Sequence, residues 1–354
     1  MLLKKNKKAL PNRIILEDCE FITKKINLET LKGKKILLTG SNGLFGRYFS
    51  YLVYYLNKER KFNCTLYCIS LHGPNKDIRR LQRLDKCIIP IKKDLSKAFT
   101  WEHSVDYILH AAGYGQPKKF IEHSLETIKL NVNATWQLLE IAKKNSAIFL
   151  FFSSAEVYGN IPQSMIPVPE TYNGNSSTTG VRAIYAESKR LGETVCSIFR
   201  RDFNFPVYIA RISHTYGPGI SKHDTRVLGD ILRKAMDKKI IDLLDDGSSI
   251  KTFGYIADMV LMLTTIFLHG KDMIYNVGGT DTVSIYELAT KVGAFFKAPV
   301  VLPTEKQTIR HIGNDPAIVK LNLTKYRREF GAISFTSFNK GLQRMLDWNK
   351  IETD

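Results

Sequence analysis

Short apolar runs alternate with longer stretches of helical periodicity over the first 212 residues of the chain. The runs occupy positions 36–39, 65–70, 86–91, 107–109, 147–152 and 207–212. Strands separated by helical spacers of a dozen residues or more are typical of βαβ units, in which the strands lie parallel and helices cover both faces of the sheet. The pattern therefore predicts an α/β fold built on a doubly wound parallel sheet.

The first run leads directly into a glycine-rich turn. Gly40, Gly43 and Gly46 follow it at three-residue spacing, and the next residues can continue as an apolar helix. The free N–H groups of a first helical turn attract a phosphate, and glycine lets the backbone approach that phosphate closely. A strand, a glycine turn and a helix in this order predict a Rossmann-type dinucleotide site rather than a bare structural turn.

The end of the second run departs from the usual NAD-binding pattern. In that pattern an acidic residue binds the ribose hydroxyls, whereas here Ser70 occupies the place and Lys76, Arg79 and Arg80 lie beyond it. Basic residues at this position can accommodate the 2′-phosphate of NADP. We therefore expect NAD as the cofactor and leave NADP open.

Beyond residue 213 the pattern becomes irregular, which predicts a smaller, discontinuous C-terminal substrate domain beside the Rossmann-type domain. Helices are predicted over 227–237 and 284–297, and strands over 240–244 and 275–277. Residues 1–30 form a predicted N-terminal extension of unassigned role, with a short helix near Leu28 to Leu31. The predicted NAD-binding domain covers 31–212 and about 253–280. The predicted nucleotide-sugar-binding domain covers 213–252 and 281–354.

The composition is that of a globular protein, with 354 residues of which 44% are apolar. No run of about 18 apolar residues appears, and the N-terminus lacks the apolar segment of a signal peptide. The five cysteines are odd in number and scattered, which predicts free thiols in a cytoplasmic protein and no metal site. The net charge of +18 is spread along the chain without one long block, so we expect most of it on solvated faces.

The candidate chemistry begins with a tyrosine and a lysine on one predicted helix. Tyr185 and Lys189 are four residues apart and therefore share one helix face. A phenol with a pKa of about 10 is a weak base at neutral pH, and a neighbouring cation favours the phenolate. Ser154 follows the run 147–152 and can hydrogen-bond the same substrate hydroxyl. The three residues predict proton removal by Tyr185 coupled to hydride transfer to the cofactor.

These motifs resemble those of the extended short-chain dehydrogenase/reductases, specifically the NAD-dependent nucleotide-sugar epimerase/dehydratase group. The resemblance is carried by residues 39–46, Asp94, residues 110–113, Asn131, residues 153–159, Tyr185 with Lys189, and residues 216–218. It implies a homodimer packed through helices, including the one that carries Tyr185. The residues that we assign to cofactor binding are Gly40, Asn42, Gly43, Leu44, Phe45, Gly46, Ser70, Asp94, Leu95, Ala111, Ala112, Gly113, Asn131, Ser153, Tyr185 and Lys189.

Within this group, residues 170–175, 182–185, 189–194 and 224–227 look like the corresponding stretches of UDP-glucuronate decarboxylases. The resemblance implies that C4 of the sugar is first oxidised to a ketone, which makes the neighbouring carbons acidic. It also makes Glu156 the candidate acid/base, the alternative being a glutamate held by a backbone or ribose hydrogen bond. The residues that we assign to catalysis are Tyr185, Lys189, Ser154 and Glu156, and those that we assign to the substrate are Gln116, Tyr172, His214, Arg226 and Lys251.

Three positions bear on the outcome of the reaction. The 4,6-dehydratases place an acidic residue just before the glutamate, where this chain has Ala155, so dehydration is disfavoured. The decarboxylases have an arginine near the position of Lys251 and an asparagine near that of His214. Lysine still neutralises a carboxylate, although without a bidentate fork. We therefore expect decarboxylation, or epimerisation beside the ketone, of a nucleotide-diphosphate sugar.

Two other functions remain as alternatives. The missing acid at Ser70 suggests an NADPH-dependent reductase of a keto-sugar. The net charge of +18 suggests a non-enzymatic RNA-binding member of the fold. We do not expect a nucleic-acid partner, because a binding protein has no need of Ser154, Tyr185 and Lys189, and we expect no membrane partner.

Overall fold

Strands alternate with helices over most of the computed structural model, which describes residues 12–220, 222–303 and 319–353. The strands are β1 (Lys35–Thr39), β2 (Thr65–Ser70), β3 (Ile88–Lys92), β4 (Tyr107–His110), β5 (Ile148–Ser154), β6 (Val207–Ile212), β7 (Thr215–Tyr216), β8 (Ile241–Asp242), β9 (Ile250–Tyr255), β10 (Ile274–Val277), β11 (Asp281–Ser284) and β12 (Val300–Val301). The helices are α1 (Arg13–Lys25), α2 (Leu44–Glu59), α3 (Lys76–Leu84), α4 (Pro117–Glu122), α5 (Ser124–Ile128), α6 (Ala134–Asn145), α7 (Ala183–Phe203), α8 (Val227–Arg233), α9 (Ile256–His269), α10 (Ile285–Phe296), α11 (Thr324–Phe330) and α12 (Phe338–Thr353).

Seven of the described strands form one parallel sheet in the order β10-β6-β5-β4-β1-β2-β3. The chain starts at β1, winds outward to β3 and then returns to β4 on the other side of β1. Such a reversal of strand order opens a crevice at the carboxyl ends of the strands, where α/β proteins bind their ligands. The predicted doubly wound α/β fold is therefore confirmed.

Successive side chains of the central strands enter two separate cores. Ile36 and Leu38 of β1 pack in a core with α1, α2 and α9, whereas Leu37 packs with α6 and α7 on the other face. Both faces of the sheet are thus buried, which explains why the strands read as continuous apolar runs rather than as alternating ones. Two smaller sheets, β11-β9-β7 and β12-β8, are formed by the later part of the chain.

Helix α1 corrects the prediction for the start of the chain. We predicted only a short helix near Leu28 to Leu31, and a 3-10 turn does occur at Glu29–Leu31, but the 13-residue α1 precedes it. The side chains of Ile15, Leu16 and Ile22 on α1 are fully buried in the core beside α2. The described part of the predicted extension is therefore packed against the sheet domain, and residues 1–11 lie outside the described residues.

A buried carboxylate fastens α1 to two distant parts of the chain. Asp18 Oδ2 accepts hydrogen bonds from the hydroxyls of Tyr48 on α2 (2.8 Å) and Tyr255 at the end of β9 (2.7 Å). Asp18 Oδ1 lies 2.9 Å from Nη2 of Arg344 on α12. Burial raises the pKa of Asp18, with the Arg344 charge opposing the rise. One side chain thus joins the first and last described helices.

Several other elements differ from the predicted ones. The predicted helix over 227–237 is α8 followed by a π-helical turn at Lys234–Lys238. Helices α3, α11 and α12 were not predicted. The five cysteines are free thiols, as predicted.

Candidate active site

Contacts that only glycine permits shape the turn after β1. Gly40 has a φ of +69°, and a Cβ on it would lie 2.7 Å from the carbonyl oxygen of Ala111. A Cβ on Gly46 would lie 2.5 Å from the Cα of Ser41. The backbone therefore passes directly over the end of β4, and α2 packs directly on the turn. Helix α2 begins at Leu44 with no side-chain hydrogen bond to its first N–H groups, which leaves its positive end open to a phosphate.

A buried hydrogen-bond chain fixes this turn to β4. The Ala112 N–H donates to Thr39 Oγ1 (3.0 Å), which lies 2.8 Å from His110 Nδ1. His110 Nε2 lies 3.2 Å from the carbonyl oxygen of Leu130. Burial, reinforced by the charge of Lys189, lowers the pKa of His110 to about 3. The imidazole is therefore neutral, with Nε2–H donating to Leu130 and Nδ1 accepting from Thr39.

The loop after β2 is tied to the glycine turn by an amide. Asn42 Nδ2 donates to the carbonyl of Gly73 (2.8 Å), and Asn42 Oδ1 accepts from the N–H of Asn75 (3.0 Å). Ser70 ends β2 beside this loop and is 7% exposed. Its Oγ is buried and has no hydrogen-bond partner among the described residues. Of these two predicted cofactor residues, Asn42 therefore holds the loop, whereas the hydroxyl of Ser70 is left for a ligand.

Three further predicted cofactor residues lie at the ends of neighbouring elements. Asp94 follows β3, and its Oδ1 accepts from the N–H (3.0 Å) and Oγ (2.7 Å) of Ser96, which lowers the pKa of Asp94. Leu95 is buried in the core beside α6. Phe45 lies in the first turn of α2 and meets the ring of Phe152 edge-on, with 5.5 Å between the ring centres. These contacts support the rim of the crevice.

Tyr185 and Lys189 lie on one face of α7 next to Ser154 at the end of β5. Ser154 is close enough to the Tyr185 phenol to lower its pKa, and Lys189 Nζ lies 6.0 Å from the centre of the Tyr185 ring. Burial raises the pKa of Tyr185 to about 12, and the charge of Glu156 raises it as well, whereas Ser154 and the charge of Arg226 lower it. The structure thus brings the three predicted catalytic groups together at the carboxyl edge of the sheet.

Lys189 is held by the strand that carries Ser154. Its Nζ donates to the carbonyl of Phe152 at 2.7 Å. Burial lowers the pKa of Lys189 to about 7, with the charge of Glu193 opposing the fall. The Lys189 ammonium is therefore fixed in place, but its charged form is only weakly stabilised. An anion or hydroxyl group placed beside it would shift its pKa.

Buried polar groups of Asn131 and Lys189 meet beside Gly113 in the loop after β4. Asn131 Nδ2 donates to Ser188 Oγ (2.9 Å), while its buried Oδ1 has no partner among the described residues. A Cβ on Gly113 would lie 3.5 Å from Asn131 Oδ1 and 3.8 Å from Lys189 Nζ. An amide oxygen without a partner among the described residues and an ammonium therefore both lie next to the backbone of Gly113.

Glu156 is paired with an arginine that sequence reasoning did not assign to the site. Arg182, just before α7, places Nη2 2.5 Å from Glu156 Oε1. Phe120 on α4 stacks on the Tyr185 ring, with 4.8 Å between the centres and 12° between the planes, and the Arg182 guanidinium lies 5.8 Å from the Phe120 ring. The only feature of the sequence that pointed to Arg182 as a site residue was its position three residues before Tyr185.

A second unpredicted pair supports the end of β5. Ser153 Oγ donates to Glu193 Oε1 at 2.6 Å, and Arg211 of β6 donates to both oxygens of Glu193, the shortest contact being 2.7 Å. The side chains of Arg211 and Glu193 are 11% and 9% exposed. Ser153, predicted to contact the cofactor, therefore uses its hydroxyl to hold β5 against α7.

Two of the predicted substrate residues, Gln116 and Arg226, lie directly before α4 and α8. Arg226 forms an ion pair with Asp224 at 2.6 Å and is close enough to Tyr185 for each charge to shift the other's pKa. Gln116, just before α4, accepts a hydrogen bond from Thr225 Oγ1 at 3.0 Å. The chain thus closes one end of the crevice by joining the loop after β4 to the segment before α8.

The three other predicted substrate residues lie at different distances from this group. His214 and Arg226 line one cleft together with Phe253 of β9. Lys251 lies two residues before Phe253 on the same strand and is 7% exposed. The hydroxyl of Tyr172 donates to the carbonyl of Asn160 at 3.2 Å, so this side chain is held by the loop after β5.

A switch-point crevice with a glycine turn on one side and a Ser–Tyr–Lys group on the other defines a Rossmann-type dinucleotide-dependent protein. The chain belongs to the NAD-dependent epimerase/dehydratase family, whose model matches residues 36–278. The family that the sequence motifs resemble is therefore confirmed.

Curated relatives include UDP-glucuronic acid decarboxylases of Arabidopsis thaliana. Decarboxylase 5 is 28% identical over 311 residues, which cover 88% of this chain and 88% of that protein. Decarboxylase 4 is 32% identical over 243 residues, which cover 68% of this chain and 53% of that protein. Among solved structures, epimerase Mth375 from Methanothermobacter thermautotrophicus has a TM-score of 0.75 at 19% identity and covers 97% of both chains, a likeness of fold.

The residues of this chain fit the NAD of the family. The first N–H groups of α2 have no side-chain cap and can meet a pyrophosphate, and the buried oxygens of Ser70 and Asn131 have no partner among the described residues. Over 12–220, 222–303 and 319–353, no three or more His, Cys, Asp or Glu side chains are grouped to hold a metal ion. None of the helices in these segments is long and apolar enough to cross a membrane.

Proposed function

We propose that this chain oxidises C4 of a nucleotide-diphosphate sugar transiently and then decarboxylates the sugar or epimerises it beside the ketone. The observation that carries the proposal is the convergence of Tyr185, Ser154 and Lys189 on one side of the crevice, opposite the glycine turn. The family match and the decarboxylase relatives support it.

The side chains divide the first step between them. Tyr185 accepts the proton of the C4 hydroxyl, and Ser154, which lies beside the phenol, holds that hydroxyl in line. NAD, when bound, supplies the acceptor for the hydride that leaves C4. Lys189 and Asn131 would hold the ribose hydroxyls next to the nicotinamide, because their Nζ and Oδ1 lie side by side at Gly113. A phenol with a pKa of about 12 needs a positive charge beside it to act as a base at neutral pH.

The groups next to the sugar favour decarboxylation. Once C4 is a ketone, a carboxylate on C5 can leave as carbon dioxide when the C5–C6 bond breaks, and its electron pair passes into the ketone. C5 would then take up a proton from solvent, and Tyr185 would return its proton to the C4 oxygen as the ketone is reduced. This sequence needs no base for the carbon–carbon cleavage, which suits a site in which Arg182 neutralises Glu156. Dehydration needs an acid for the leaving hydroxyl, and the position before Glu156 is Ala155.

Epimerisation beside the ketone is the second candidate. Glu156 is close enough to Tyr185 for its charge to raise the pKa of the phenol, so its carboxylate lies near the reacting carbons. A carboxylate there can remove a proton from the carbon next to the ketone, and a proton taken up from solvent on the opposite face would complete the inversion. The two candidates differ in whether the product has lost carbon dioxide.

We assign the diphosphate and the sugar substituents to the cationic side of the crevice. Arg226, oriented by Asp224, would bind the diphosphate, and Lys251 on β9 would neutralise a sugar carboxylate. Gln116, Tyr172 and His214 complete the proposed substrate site. In this proposal residues 31–212 and about 253–280 bind NAD, whereas 213–252 and 281–354 bind the nucleotide sugar.

We also propose that the chain forms a homodimer through α6 and α7. These helices expose large apolar side chains, among them Trp136 (52%), Leu191 (49%) and Phe203 (46%). Trp136 and Phe203 both meet the ring of Phe199, so the exposed apolar surface is continuous across the two helices. Trp136→Glu should yield a monomer in analytical ultracentrifugation, whereas Leu84→Glu on α3, which is 42% exposed, should leave the dimer intact. A dimer that persists in the Trp136→Glu variant would overturn this assignment.

The reaction is tested by incubating the protein with UDP-, GDP-, CDP- and dTDP-sugars and following the products by mass spectrometry. Loss of carbon dioxide, an unchanged mass with a new stereoisomer, loss of water and a shift of two hydrogens distinguish decarboxylation, epimerisation, dehydration and net oxidation or reduction. Tyr185→Phe should abolish turnover and retain NAD binding, whereas Tyr286→Phe, on the exposed face of α10, should retain both. Normal turnover by the Tyr185→Phe variant would refute the mechanism.

A further inference from the structure

The end of β2 carries no carboxylate that is available to a ribose. Its last residue is Ser70, and the nearest acid along the chain, Asp77 in the first turn of α3, is already engaged. Asp77 Oδ2 lies 2.7 Å from Arg47 Nε, and its Oδ1 accepts from the hydroxyl of Tyr51 at 3.0 Å. An acidic residue at this strand end binds the 2′-hydroxyl of NAD and repels the 2′-phosphate of NADP, so the usual basis of discrimination is missing.

The alternation of β2 directs the hydroxyl of Ser70 toward the dinucleotide crevice. Cys68, two residues earlier, faces α2 and lies 3.6 Å from Ser50. Ser70 shares the face of Cys68 and is one step closer to the carboxyl end, where the glycine turn enters α2. The N–H of Ser41 in that turn donates to Ile69 at 3.1 Å, which keeps the strand end and the turn together. A buried hydroxyl without a partner among the described residues therefore lies beside the turn.

Positive groups surround the same place. Helix α3 begins at Lys76, directly after the loop that follows Ser70, and its N-terminal dipole favours an anion. Arg79 is exposed, and its Nε donates to the carbonyl of Pro74 at 2.9 Å, which holds the guanidinium next to this loop. A 2′-phosphate at the ribose would thus meet a hydroxyl, a helix N-terminus and a guanidinium instead of a carboxylate.

We propose that Ser70 sets the dinucleotide selectivity of this site and that the site binds 2′-phosphorylated dinucleotides as well as NAD. The hydroxyl can donate to a 2′-phosphate or accept from a 2′-hydroxyl, because it has both a proton and lone pairs. Arg79 adds a contact that only the phosphate uses. The inference concerns the adenosine half of the cofactor and does not depend on which sugar the chain modifies.

Calorimetric titration of the full-length protein, freed of bound nucleotide, with ADP-ribose and 2′-phospho-ADP-ribose tests this inference without any catalysis. We expect dissociation constants within about tenfold of each other for the unaltered protein. Ser70→Asp should weaken binding of the phosphorylated ligand by at least about tenfold and leave ADP-ribose unchanged or tighter, because two like charges then meet. Ser70→Asn, which matches the size of aspartate without its charge, should keep both ligands.

A second pair of variants covers the case in which Ser70→Asp does not fold. Arg79→Gln should weaken only the phosphorylated ligand, whereas Arg83→Gln, one turn further along α3, should change neither. A gap larger than tenfold in the unaltered protein, or an unchanged ratio in both Ser70→Asp and Arg79→Gln, would overturn the proposal. These results are separate from the sugar assay, so failure of the proposed reaction leaves them intact.

Discussion

Removing the carboxylate of Asp18 should destabilise the whole protein although Asp18 is far from the active site in sequence. Asp18→Ala leaves the hydroxyls of Tyr48 and Tyr255 without their acceptor and leaves Arg344 without its closest charged partner. Breaking a buried ion pair by deleting one partner costs about 3–5 kcal/mol. Arg344 keeps contacts to Glu17 (3.2 Å) and to a backbone carbonyl, and it is 22% exposed, so we expect the lower limit, about 3 kcal/mol.

The magnitude can be converted to a melting temperature. An unfolding entropy of about 2.1 cal/mol/K per residue gives roughly 0.7 kcal/mol/K for a chain of 354 residues. A loss of about 3 kcal/mol therefore lowers the melting temperature by about 4 °C. Urea unfolding followed by circular dichroism measures the free energy, and calorimetry measures the temperature shift.

Two controls make the test specific to the buried carboxylate. Glu17→Gln removes a neighbouring carboxylate that is 32% exposed and should cost less than about 1 kcal/mol. The double variant with Asp18→Ala and Arg344→Met should lose less stability than the two single variants added together, because the second change removes a charge that the first left unpaired. If Asp18→Ala costs no more than Glu17→Gln, the network does not fasten α1 in the way described.

Three other variants test separate parts of the site. Gly46→Ala should lose dinucleotide binding and cost at least about 2 kcal/mol in unfolding free energy, because a Cβ at this position would meet backbone atoms. Gly115→Ala, whose Cβ meets nothing within 4 Å, should change neither the dinucleotide affinity nor the unfolding free energy, both measured by calorimetry. Glu156→Gln removes a charge that raises the pKa of Tyr185, so the rising limb of the pH–rate profile should move to lower pH by about 1 unit; a shift upward would contradict the assignment. Glu193→Gln should lower the unfolding free energy, measured by urea titration, by about 3 kcal/mol, because it weakens the buried ion pair with Arg211 and the hydrogen bond from Ser153. An unchanged urea midpoint would show that the ion pair is dispensable.

The central sheet could be predicted because its signals are local. Strands β2 and β6 were predicted with the bounds that the structure shows, since each is an apolar run that ends at a turn or polar segment. Helix α1 was missed although Ile15, Leu16, Cys19 and Ile22 follow helical spacing. Asp18 on α1 pairs with Arg344 on α12, more than 300 residues further along the chain, and no pattern in the sequence joins these two residues.

The candidate site divides in the same way. Tyr185 and Lys189 could be paired from sequence because helical periodicity alone puts them on one face. The ion pair of Glu156 with Arg182 and the hydrogen bond between Gln116 and Thr225 depend on how three loops approach each other. Loop geometry follows from tertiary packing, so side chains that meet across loops become visible only in the folded structure.

The start of α7 has a consequence for the proposed role of Tyr185 as a base. Tyr185 is the third residue of that helix, and helical side chains lean toward the N-terminus, where the aligned peptide dipoles amount to about half a positive charge. Lys189, with a pKa of about 7, carries its proton only part of the time at neutral pH. The backbone contribution never titrates. As the pH rises and Lys189 loses its proton, the N-terminus of α7 therefore still favours the phenolate of Tyr185. Activity would then fall less steeply at alkaline pH than if Lys189 were the only positive charge beside the phenol.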